Sequence, residues 1–146
     1  MARKVFFSFK YDDVQRAMNV RNSNVITGAI KSGFIDKADF EKVERKGDNA
    51  IKAWIDKQLE DTTVTVVLIG ANTHKSRWVK YEIDQSIDRG NGILTIDISK
   101  IKDLGGNTTE CCSLRVNGYN HYLWNNGKGR DNLGKWVEAA AKAAGK

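Results

Sequence analysis

The nine residues TTVTVVLIG, Thr62 to Gly70, constrain the fold more than any other stretch of this chain. The run is β-branched, almost continuously apolar and too short for a buried helix. A strand without polar alternation suits the middle of a parallel sheet, where helices cover both faces. The residues that follow agree with this. ANTHKS is a loop, and Ser76 is placed to cap a helix opening with RWVKYEIDQSIDRG. Val79, Ile83 and Ile87 recur at i, i+4 and i+8 as its expected core stripe, and Gly90 suits its end. GILTIDI, 92–98, is a further strand.

The remaining segments extend the alternation. KVFFSF, 4–9, is a short aromatic and β-branched strand, and KYDDVQRAMNV after it predicts a helix. Asp12 or Asp13 is its candidate cap, with Gln15 three beyond Asp12 as in a capping box. Val14, Met18, Val25, Ala29 and Ile30 continue a weak helical period. GFID, 33–36, is a candidate short strand, and KADFEKVERKGD is a charged surface excursion. From Asp48, a helix is expected through Ile51, Trp54 or Ile55, and Leu59. Turn residues dominate from Ser99 to Asn120. HYLW, 121–124, is a last short strand before an Ala-rich helix for which Asp131 is a candidate cap. The order predicts an α/β fold over 1–146 as a single domain, with a mainly parallel sheet between helices. Such sheets bind ligands at the carboxyl ends of their strands, here after KVFFSF, VTVVLIG and GILTIDI.

Composition narrows the partners. The net charge of +6 is spread as Lys and Arg among acids, with no basic block, which argues against a nucleic-acid partner. No apolar stretch approaches the roughly 18 residues that span a bilayer, so a cytoplasmic protein without a membrane partner is expected. Cys111 and Cys112 are adjacent, which gives neither a disulfide framework nor zinc spacing. Idle thiols in a reducing compartment, and no bound metal, are the expectation.

Several chemistries fail on a required residue. No G-x-G-x-x-G follows the first strand, and no Walker A motif is present. A phosphoacceptor receiver needs an Asp ending the central strand, where VVLIGANT has none. His74 and His121 lie outside any nucleophile-elbow context, and the cysteines have no evident activating partner. Glu82 remains, at the rim of its helix's core stripe, with Trp78 four residues before it on a shared face. Such a Glu either points to water or faces the crevice. In the second case, a carboxylate beside an aromatic plane suits a sugar nucleotide.

KVFFSF, together with TTVTVVLIGANTHKSRWVKYEIDQSIDRGNGILTIDI, resembles the TIR-like domains of the bacterial Thoeris anti-phage system, the ThsB-like group. The likeness covers about residues 3–20 and 47–98 and rests on W-x-x-x-E in its strand–loop–helix context. It implies a three-layer flavodoxin-like TIR fold that takes NAD+ as substrate, without a separate cofactor. It implies cleavage of the nicotinamide–ribose bond to give a cyclic or otherwise modified ADP-ribose signal. That signal would activate a separate effector protein, with a phage component as trigger and a homo-oligomer formed on activation. The catalytic Glu falls on Glu82. First-strand site residues fall on Phe6, Phe7 and Ser8, followed by Lys10, Tyr11 and Asp12. Phe7 or Trp78 is a candidate to stack on nicotinamide or adenine, and Lys10 or Arg77 to meet the pyrophosphate. Phe6 and Phe7 face opposite ways along a strand, so at least one belongs to the core. Ser8 is either a ligand contact or a buried hydroxyl bonded to backbone. A non-catalytic TIR module that senses a phage component, and a deoxyribosyltransferase-like enzyme, are the alternative readings.

Overall fold

The apolar run becomes the strand expected of it. A computed structural model describes residues 3–22 and 42–146. In it, β1 (Val5–Ser8), β2 (Val64–Ile69), β3 (Gly92–Asp97) and β4 (Asn120–Leu123) form one sheet in that order, every pair parallel. All six residues of β2 are buried. The helices are α1 (Val14–Arg21), α2 (Asp48–Leu59), α3 (Arg77–Asp88) and α4 (Gly129–Ala143). The GFID strand and the period through Val25, Ala29 and Ile30 fall outside the described residues.

Strand pleating sorts the core into two faces. Val5, Phe7, Val64, Val66, Leu68, Leu94 and Ile96 point one way and pack on Ala17 and Val20 of α1 and Leu133, Val137 and Ala141 of α4. Val67, Ile69 and Ile93 point the other way, onto Val79 and Ile83 of α3, and Phe6 packs on Ile51, Ile55 and Leu59 of α2. Helices on both faces of a parallel sheet make the three layers of the flavodoxin-like arrangement. Among the described residues no helix is long and apolar enough to cross a membrane.

Local expectations fared differently. Ser76 caps α3, its hydroxyl accepting from the Val79 amide at 3.2 Å. The capping box before α1 does not form. Asp12 pairs with Lys10, Asp13 turns inward, and the Gln15 side chain accepts from the Leu104 amide instead. Met18 lies at the surface, and α1 buries Arg16, Ala17 and Val20. Asp131 sits inside the first turn of α4, where a carboxylate complements the helix dipole, while Lys128 occupies the cap position. Most consequential is α3, where Ile87 is 44% exposed and the buried positions are Val79, Glu82, Ile83 and Ser86. The helix has rolled toward its polar members.

Candidate active site

Two hydroxyl-bearing strand residues explain that roll. Ser8, the last residue of β1, donates its hydroxyl to Glu82 Oε1 at 3.1 Å, and both side chains are buried. One turn along α3, Ser86 donates to the Glu82 carbonyl at 2.6 Å and lies 2.7 Å from the Thr65 hydroxyl of β2. Asn91 in turn donates to Thr65 and Thr62. An unbroken polar seam therefore runs beneath α3, and buried polar groups persist when they are paired in this way.

The carboxyl of Glu82 carries the largest consequence. Burial pushes its pKa up to about 8 from 4.5, against the opposing pull of the Ser8 hydrogen bond. Near neutrality it is mostly protonated, and a positive charge beside it would favour the ionised form. A buried carboxyl so tuned, held by the residue that ends β1, makes Glu82 a candidate functional group.

α2 fixes α3 from outside. Arg77 forms a bidentate pair with Asp48 at 2.9 and 3.0 Å and stacks over Trp78, while Tyr81 donates to Asp56 at 3.0 Å. Trp78 packs edge-on against Tyr81 and borders the Phe6, Ile51, Ile55 and Leu59 cluster. Trp78 and Arg77 are thus both engaged with α2. Lys10 and Asp12 pair at 2.6 Å in the loop after β1. Tyr11 is half-buried beside Phe9, against the α1 face. Phe6 and Phe7 are both core, on opposite faces of the sheet. Of the expected site residues, the structure joins Ser8 and Glu82 directly, with Lys10 and Asp12 following in chain order.

The structure adds polar groups that spacing did not reveal. Asp13 lies buried against Gly70, where a Cβ would overlap its carboxylate, and burial raises its pKa despite Arg16 at 3.5 Å. Arg16 also donates to the carbonyls of Ile101 and Asn107, tying α1 to the segment after β3. Strand register places Ser8, Val67, Thr95 and His121 in one row across the sheet. His121 Nδ1 lies 2.7 Å from the Thr95 hydroxyl, and burial lowers the pKa of its ring. Asp97 ends β3 and accepts from the Ser99 amide and hydroxyl. The Thr95 and Asp97 alternation in GILTIDI was the available signal for this end of the row. Cys111 and Cys112 are half-buried beside Val67 and Ile69, and burial, with Asp97 nearby, pushes the Cys111 thiol up to about 12. It is not an activated nucleophile.

Comparison with known proteins fits this arrangement. The family described as Thoeris protein ThsB, TIR-like domain, matches residues 6–103, which contain β2, β3, α3 and both members of the Ser8–Glu82 pair. A protein of Bacillus cereus (strain MSX-D12) named "Putative cyclic ADP-D-ribose synthase ThsB1" is 43% identical over 110 residues, 73% of this chain. The match spans 57% of that relative's length. The chain belongs to the ThsB family of Thoeris TIR-like domains.

Proposed function

We propose that this protein breaks the nicotinamide–ribose bond of NAD+ and converts the ADP-ribose part into a cyclic or related signal nucleotide for a separate defence effector. The buried Ser8–Glu82 pair carries the reading. Nicotinamide leaves as a neutral base, taking the electrons of the glycosidic bond, so no strong acid is required. The demand is for negative charge beside the cationic anomeric carbon. The bound cation favours the ionised form of Glu82, whose proton passes to solvent, and the resulting carboxylate, oriented by Ser8, stabilises the oxocarbenium-like centre. An oxygen or nitrogen of the same nucleotide, or water, then bonds to that carbon; an attacking hydroxyl or water sheds a proton. Lys10 and Asp12, paired with each other, follow Ser8 in the loop at the β1 end of this site, and Lys10 would meet the pyrophosphate by exchanging that partner. Phe6, Trp78 and Arg77 brace the α2–α3 side, while Phe7 and Tyr11 pack on the opposite face, and any substrate contact by the five belongs to the same proposal.

The relative's name, a cyclic ADP-D-ribose synthase, supports a cyclising outcome. Cytoplasmic action, triggering by a phage component and assembly into a homo-oligomer on activation are part of this reading. The test is nicotinamide release from NAD+, with mass spectrometry of the products, in cells challenged by phage. Wild type should release nicotinamide and Glu82→Gln should fall by about a hundredfold or more. Equal release by both would remove Glu82 from the chemistry. No release by either, in challenged cells, would favour a non-catalytic binding module.

A further inference from the structure

On the sheet face opposite Ser8 and Glu82, a cleft of about 730 Å³ opens between the end of α1, the segment after β3 and the start of α4. Lys100, Lys102, Lys128 and Arg130 line it, against the single carboxylate of Asp131. Lys100 reaches the Thr109 carbonyl and, at 3.7 Å, Glu110. Lys102, Lys128 and Arg130 form no ion pair among the described residues. Unneutralised cations gathered in a concave site repel one another and concentrate an anionic ligand.

The turn entering α4 presents one of these charges under constraint. Gly129 lies on the Trp124 indole so closely that a Cβ would overlap the ring, and its amide donates to the Trp124 carbonyl at 2.7 Å. That tight closure leaves Lys128 left-handed, at φ 52. A lysine stands where glycine is the low-strain residue. The start of the 15-residue α4 adds its partial positive charge to the same cleft.

We propose that this cleft is a second ligand site, one that takes the phosphates of a small nucleoside diphosphate and is separate from the Ser8–Glu82 pair. Its volume falls within the range of small-molecule pockets, roughly 300–1,000 Å³. Its charge is gathered in a hollow and not drawn out along a track, which favours a compact diphosphate over a polynucleotide. The two sources of diphosphate, inorganic and nucleotide-borne, are separated by titrating the full chain with pyrophosphate and with ADP, using adenosine as the control.

Isothermal titration calorimetry at low salt should show binding of both phosphorylated probes, weakening as salt is added, and none of adenosine. The double variant Lys102→Gln with Lys128→Gly should weaken both by about tenfold or more. Glycine at 128 relieves the left-handed strain, so a preserved melting transition separates lost charge from lost fold. Equal affinity for pyrophosphate and ADP assigns recognition to the phosphates, and tighter ADP adds a nucleoside contact; both support the site. No wild-type binding of either probe, or binding that the double variant leaves unchanged, overturns it.

Discussion

On the α1–α4 side of the sheet the strands offer Val5, Phe7, Val64, Val66, Leu68, Leu94 and Ile96, whereas on the α2–α3 side they offer Ser8, Thr65 and Thr95 among Phe6, Val67, Ile69 and Ile93. The first face meets its helices through apolar strand residues, with polar ties at its margins, Arg16 to the Ile101 and Asn107 carbonyls and Arg3 to Glu138. The second holds α3 by directed bonds through Ser8, Thr65, Ser86 and Glu82. Apolar packing tolerates small slides and rolls of a helix, but a hydrogen-bonded seam fixes its rotation. That precision is what the role proposed for Glu82, a carboxylate aimed at a reacting carbon, requires.

The difference can be broken from either side. The largest effect is expected on the apolar face, where Leu68→Ala leaves a cavity and should cost about 2–5 kcal/mol in denaturant unfolding. The transition should keep a single step. A comparable loss from Thr65→Ala would erase the distinction between the faces.

Next in size is Glu82→Gln, with the opposite sign at alkaline pH. Between about 4.5 and 8, the folded protein holds a proton that the unfolded chain has released, so wild-type stability falls as pH rises through that window. The amide lacks this penalty. Glu82→Gln should therefore be more stable than wild type by about 2–4 kcal/mol at pH 8, with the gain vanishing toward pH 4. A pH-independent difference between the two melting curves would show that Glu82 is not held protonated by burial. In turnover, wild-type kcat/KM for nicotinamide release should climb with pH and level off above about 8.

Ser8→Ala is expected to be intermediate. Loss of its bond to Glu82 removes the one interaction favouring the carboxylate, so the rising limb of the pH profile should move further alkaline. At neutral pH kcat/KM should drop about tenfold, and a smaller deficit at high pH, where Glu82 ionises in both proteins, would sharpen the assignment. The smallest effect is expected at the periphery. Arg77 and Asp48 are both largely exposed, and Arg77→Ala should change stability by no more than about 1 kcal/mol. A larger loss of turnover than of stability would place Arg77 at the substrate after all.

The elements that were legible in sequence are those in which neighbouring residues all favour one geometry. TTVTVVLIG has no polar break to suggest another conformation, and Ser76 caps the helix after it through a bond of its own chain. The resemblance through KVFFSF and RWVKYE pointed to Ser8 and Glu82. Asp13 stands at the N-cap position of α1, as expected of one of the two acids, but makes no side-chain cap bond, because a carboxylate near a helix start has two uses. At Asp13 a buried Arg16 and the absent side chain of Gly70 drew it inward. Arg16 lies in the helix's own first turn, whereas Gly70, beyond β2, is remote in sequence from the cap position.

The sequence by itself determined the alternation of strands and helices and the family to which they belong, because those depend on local periodicity and short motifs. Only the tertiary structure decided which flank of α3 faces the sheet. Period alone favoured Val79, Ile83 and Ile87, yet Ile87 is exposed and Glu82 is buried. The reason is the hydroxyls of Ser8 and Thr65, brought beneath the helix from strands 74 and 21 residues away from their partners. Their hydrogen bonds turn α3 by part of a turn, and that rotation carries Glu82 from the rim into its buried pair with Ser8.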